Sequence, residues 1–257
     1  MNASTLASAP DLGAVAILLV GLSAAMIALH FGILLLAAQR TSLTFRARLI
    51  VPLVTAGVLA FWFGWANRWA LTRAVAPPAA AWPLSALPVL LAMVIPVAIG
   101  WLSLRMSRSL RSINSATPPE WLIAVQIYRV AGIIFVWPFL TNGTLPAGFA
   151  LPAGIGDFLT GIAAPFVALA VAQGRPGARR RAVIWNFFGI LDLIVAPTAA
   201  LLTQANVASI YPLALVPVFL GPPIGILTHI LSLRSLSPSS TPAGARLDPA
   251  NADLATT

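Results

Sequence analysis

The stretch "GFALPAGIGDFLTGIAAPFVALAVA", residues 148–172, decides how the rest of this chain is read. A membrane-spanning helix needs about 20 mostly apolar residues, and this run supplies them with Asp157 as its one charge. An isolated charge near the bilayer centre costs from about 2.5 to more than 10 kcal/mol, depending on the scale. The run is therefore a span only if another part of the chain brings a partner to Asp157.

Composition outside the run agrees with lipid. Of 257 residues, 59% are hydrophobic and 8% charged, against about 25% charged in an ordinary soluble domain. Cysteine is absent, which excludes disulfides, thiolate metal sites, iron–sulfur clusters and a cysteine nucleophile. Lysine is absent too, so all fifteen basic residues are arginines and a retinal-type Schiff base is excluded. The net charge of +9 fits arginines beside membrane spans, facing anionic headgroups, better than it fits nucleic acid. The first apolar run, residues 12–38, is longer than a signal-peptide core and lacks a basic flank before it, so it reads as a retained helix.

Seven spans follow from the apolar runs: residues 12–38, 49–66, 84–104, 121–140, 148–172, 182–203 and 209–233. The expected fold is all-α, an integral membrane bundle of seven transmembrane helices over residues 1–234. A disordered tail is expected over 235–257, where Ser, Pro and Ala dominate. Span seven carries Pro212, Pro217, Pro222 and Pro223, which predicts a kink or break, because proline lacks the helical donor. Twelve of the fifteen arginines fall on one side of such a bundle, two (Arg68 and Arg73) on the other, and Arg129 within a span. That asymmetry predicts the N-terminus outside and the C-terminus cytoplasmic. The eight tryptophans, among them Trp62, Trp101, Trp121 and Trp185, all fall near a predicted interface, as an aromatic belt would place them.

Depth then brings three charges together. At about 1.5 Å per helical residue, Arg129 in span four, Asp157 in span five and Asp192 in span six all come out near mid-bilayer. We expect Arg129 to bridge both aspartates in the bundle interior. Gln126 stands one turn before Arg129, and Asn186 shares a face with Asp192. Gly154, Gly156 and Gly161 allow close backbone approach around Asp157. One guanidinium against two carboxylates leaves one negative charge over, which a carried proton would neutralise. "GIGD" (154–157) and "GILD" (189–192), each followed by "AP", suggest related helices in opposite orientation, as transporters have.

Other chemistries match parts of this pattern. "GIGD" matches the GxGD motif of the presenilin and signal peptide peptidase families of intramembrane aspartyl proteases, with Asp192 as the second acid. Those families, however, place the GxGD aspartate after its partner, and their companion motifs are missing here. His30 and His229 are candidate ligand or haem contacts, at similar levels in spans one and seven, in a single-haem oxidoreductase. No other cofactor is expected. No metal site is expected, since a seven-helix zinc hydrolase needs three histidines and this chain has two. "RMSRSLRS" (105–112) and "RPGARRR" (175–181) read as arginines snorkelling to anionic headgroups of the lipid bilayer.

The segments "QIYRVAG" (126–132), "FALPAGIGD" (149–157), "WNFFGILD" (185–192) and "ILTHILSL" (226–233) resemble a family of uncharacterised bacterial polytopic membrane proteins. The likeness covers roughly residues 120–233. It implies a multi-pass protein of the bacterial cytoplasmic (inner) membrane with no assigned activity. The expected function is a small transport or ligand-sensing protein. The alternative is a structural or accessory subunit, with the charged cluster holding helices together; the protease and the haem oxidoreductase stand behind both.

Overall fold

The computed structural model describes residues 12–75 and 83–237. Expectations for residues 1–11, for Trp82, for Arg246 and for the tail beyond 237 lie outside the described residues. The elements are α1 (Leu12–Gln39), α2 (Phe45–Val75), α3 (Leu87–Met106), α4 (Arg108–Ser115), α5 (Pro119–Ala124), α6 (Val136–Asn142), α7 (Ala147–Ala172), α8 (Ala178–Thr203) and α9 (Gly225–Ser235). A 3₁₀ segment, Val125–Phe135, joins α5 to α6, and a π-helical segment, Val216–Ile224, leads into α9. Among the described residues there is no strand, and 7 helices are long and apolar enough to cross a membrane. The described residues are thus all-helical, and their seven apolar helices suggest a multi-pass membrane protein.

The element ends depart from the apolar runs for physical reasons. α2 runs from Phe45 to Val75, well beyond 49–66, so Arg46, Arg48, Arg68 and Arg73 sit on the helix and not in loops. Backbone hydrogen bonding continues where hydropathy falls, because a helix needs no lipid around it. The arginines of 105–112 do not extend α3 as one helix. Ser107 adopts an extended backbone and its hydroxyl accepts the Leu110 N–H, capping a separate α4. At the C-terminal end, α9 reaches Ser235, and Leu236 is buried with its carbonyl accepting Arg179 Nε at 2.6 Å. The structured chain therefore passes the expected boundary at 234.

Span four is not one α-helix. Its centre winds as a 3₁₀ helix, with three residues per turn, so side chains three apart stack on one face. Gln126, Arg129, Gly132 and Phe135 form such a row, and all four are buried. Ile127 and Ile133 occupy the opposite, exposed face. Eleven residues of 3₁₀ helix are unusual, since runs beyond three or four residues are uncommon.

The seventh span begins at Val216, later than the expected 209, because Tyr211–Ala214 form turns. The expected break is at Gly221, whose ψ of −110° is not helical. Pro222 and Pro223 have no N–H to return to the preceding turn, and neighbouring spans satisfy carbonyls there. Trp62 Nε1 donates to the Val218 carbonyl (3.0 Å), Tyr128 Oη to the Leu220 carbonyl (2.7 Å) and Gln126 Nε2 to the Gly225 carbonyl (3.2 Å). Buried peptide groups must find such partners when water is excluded.

Burial grades the bundle. The fourth and seventh spans have 56% and 67% of their most apolar stretch inside the protein, against 11 to 17% for the first three. Spans four and seven are therefore central. The outward apolar faces of α1, α2 and α3, with Ile17, Phe61 and Val94 exposed, suit contact with lipid. α7 packs along the 3₁₀ segment and along α8, while α3 packs against the π-helical segment.

Candidate functional site

Spans four to seven converge on Arg129. It projects from the 3₁₀ row and is 2% exposed, a burial that a guanidinium tolerates only when paired and hydrogen-bonded. Its Nε donates to Asp157 Oδ1 on α7 at 2.7 Å, and its Nη2 donates to Asp192 Oδ2 on α8. Nη1 donates to the Gly189 carbonyl at 3.2 Å and meets His229 Nε2 on α9 at 3.0 Å. The planar fork thus reaches acceptors on three helices at once, which the compact, non-planar ammonium of lysine cannot reproduce.

The contact with His229 assigns its tautomer. Arginine only donates, so Nε2 accepts and Nδ1 carries the proton. Nδ1 then donates to Asn186 Oδ1 at 2.9 Å. Asn186 Nδ2 in turn donates to Ser232 Oγ (3.0 Å) and to the Ala182 carbonyl (2.8 Å). Trp185 covers the imidazole, with ring centroids 4.9 Å apart, and donates to the Thr160 carbonyl at 3.1 Å. Trp185 is buried, packed inside the bundle.

Two glycines make the carboxylates fit. A Cβ at Gly132 would collide with the Asp157 carboxylate, and one at Gly156 would collide with that of Asp192. Each acid therefore lies against bare backbone on the neighbouring helix. Asp157 Oδ2 and Asp192 Oδ1, the oxygens on those sides, accept no hydrogen bond from the described residues.

A cavity of about 80 Å³ ends at these acids. Its far end is lined by Ser85, before α3, and by Val207 and Ala208, in the loop after α8. Both aspartates line it, as do Pro217 and Gly221 of the broken span, whereas Arg129 does not. Phe135 and Phe149, edge to face at 5.3 Å, form part of its wall.

The structure thus brings Arg129, Asp157, Asp192, Asn186 and His229 into one hydrogen-bonded network. Gln126 is adjacent in the 3₁₀ row but serves the Gly225 carbonyl. His30 stays apart from the network: its Nδ1 meets the Met26 carbonyl of its own helix at 2.8 Å. Both nitrogens of His229 are engaged, so the arrangement offers no free lone pair there for a haem iron. Nor does it resemble an aspartyl-protease dyad, whose two acids share a proton around a water, because a guanidinium stands between these two. His229 joins the cluster only in the structure, and so do Trp185, Ser232, Tyr128 and Trp62 as supporting groups. A signal for part of this was present: His229 and Ser232 are three apart on one helix, like Asn186 and Gly189 on another.

A family model described as Domain of unknown function (DUF8737) matches residues 86–237, the stretch that carries every member of this network. No curated protein and no solved structure matches the chain.

Proposed function

We propose, for a chain that belongs to the family described as Domain of unknown function (DUF8737), a role in small-solute transport or sensing across a membrane. The observation that carries this reading is the cavity that runs from one end of the bundle to the Asp157 and Asp192 carboxylates. A cluster whose sole task is to hold helices together needs no such approach. The broken seventh span supports the same reading. Irregular backbone at membrane depth is tolerated where it lines a cavity, transporters use discontinuous helices for their binding sites, and Pro217, Gly221 and Pro222 line this one.

The arginine asymmetry supports a bilayer orientation with the N-terminus outside and the C-terminus cytoplasmic, and the family resemblance implies a bacterial inner membrane. The cavity mouth between the α3 start and the loop after α8 then faces outward. Arginines at the opposite end meet anionic headgroups; Trp101 already carries Arg234 and Arg105 over its ring at 4.1 and 5.2 Å. A structural or accessory role is the second reading, favoured by the saturation of Arg129 with acceptors.

Because the chain has no cysteine, single-cysteine variants separate the two directly. Ala196→Cys and Ala200→Cys, both on the cavity wall, are expected to react in proteoliposomes with silver ion, a charged thiol reagent small enough for the cavity, read as loss of titratable thiol after unfolding. Labelling from one side supports a sensor or a resting transporter, and labelling from both sides supports alternating access. Protection from both sides would leave the structural role standing and remove the proposal.

A further inference from the structure

The cavity presents charge of one sign. Asp157 and Asp192 line it, and no arginine or histidine, the paired Arg129 included, is among its lining residues. The residues themselves are each 7% exposed, so what they show to the cavity is a small area of carboxylate oxygen. One oxygen of each acid, Asp157 Oδ2 and Asp192 Oδ1, has no hydrogen bond from the described residues. Three formal charges, one positive and two negative, leave the cluster one negative charge in excess.

The rest of the wall is apolar. Leu90, Met93, Phe135, Phe149, Leu193 and Val216 surround the approach, while the polar residues Ser85 and Asn206 line it alongside the α3 start and the loop after α8. A carboxylate with unused lone pairs in such surroundings is best served by a charged N–H donor. A bare metal cation is poorly served, since hard cations take about six oxygen ligands and two carboxylates with apolar neighbours do not supply them. An anion would meet like charge. A neutral solute would leave the excess charge to a bound proton, whereas an ammonium ion matches it directly.

Volume limits the size. An apolar protein cavity of about 150 Å³ holds benzene, so about 80 Å³ admits an amine of only a few heavy atoms. From these observations, and resting on the solute-binding reading above, we propose that the cavity takes a small alkylammonium ion, its N–H groups on Asp157 and Asp192 and its hydrocarbon against the Phe135–Phe149 wall.

The test uses isobutylammonium as the probe, with isobutanol as its neutral counterpart and sodium as an inorganic cation, at matched ionic strength. Binding to the full chain in detergent is read as a rise in melting midpoint with ligand concentration. Isobutylammonium is expected to act at concentrations at least about tenfold lower than isobutanol, a difference of about 1.4 kcal/mol, and sodium is expected to give no saturable rise. Asp192→Asn should abolish the preference for the charged probe. Ala196→Phe, which fills the cavity and leaves both acids in place, should abolish protection by either organic probe. Should Asp192→Asn fail to fold, the wild-type comparison and Ala196→Phe still decide. Equal action of isobutanol, or a matching saturable rise with sodium, overturns the ammonium assignment and leaves the solute-binding reading intact. No saturable effect of any probe, together with cysteines that resist labelling, overturns both.

Discussion

His229 accepts an N–H of Arg129 on Nε2 at 3.0 Å and, through Nδ1, holds Asn186 at 2.9 Å. A histidine on the last span thus ties the buried arginine of the fourth to the amide of the sixth. The contact gives His229 a defined job as acceptor, which phenylalanine would leave undone although it would fill the space. His229→Phe is expected to destabilise the protein by about 1 to 3 kcal/mol, the cost of leaving buried donors unmatched. His229→Gln, which keeps an acceptor, should cost less. Denaturant unfolding of the purified variants in detergent checks the order.

Removing Arg129 should be the most damaging single change in the network. Arg129→Gln leaves two buried carboxylates without a counter-charge, a loss of about 3 to 5 kcal/mol. Arg129→Lys is expected to recover only part of this, because one ammonium cannot take up the geometry of the fork. Full recovery by lysine would show that charge alone matters there.

The excess negative charge predicts an asymmetry. Asp157→Asn or Asp192→Asn leaves a neutral one-to-one pair, so each single change should cost less than Arg129→Gln. The double change leaves the guanidinium without a carboxylate and should cost more than the two singles added, since groups in one network couple. An additive double mutant, read by the same unfolding assay, would contradict a shared partner.

Close approach is testable with two alanines. Gly156→Ala places a methyl group on the Asp192 carboxylate and should destabilise by about 1 to 3 kcal/mol, as overpacking does. Gly21→Ala, in α1, meets nothing within 4 Å and should stabilise by up to about 1 kcal/mol through helix propensity. Melting midpoints that move in the same direction would count against the packing described here.

The caps on the broken seventh span make the fifth prediction. Tyr128→Phe keeps the ring, Trp62→Phe keeps an aromatic of smaller size, and the two delete the donors to the Leu220 and Val218 carbonyls. Each should cost about 1 to 3 kcal/mol. Both should also speed amide exchange around Gly221, measured by mass spectrometry, before they affect α7.

Several features were legible without coordinates. Hydropathy is a property of the local chain, so seven spans could be counted from composition and run length alone. Depth could be counted along each run, which placed Arg129, Asp157 and Asp192 at one level, and the cost of a lone charge there required them to meet. Proline's missing donor located the break in the seventh span.

Tertiary structure decided the rest, because it depends on how helices turn toward one another. In "VQIYRVAGIIF" (125–135) apolar residues fall on every side, so three and 3.6 residues per turn leave the same hydropathy trace. Only packing against α7 shows the 3₁₀ row. His229 looked like one of a pair with His30, since sequence shows its depth but not its facing. Rotation of α9 points it at Arg129, and the same rotations leave two carboxylates, and not the guanidinium, at the end of the cavity.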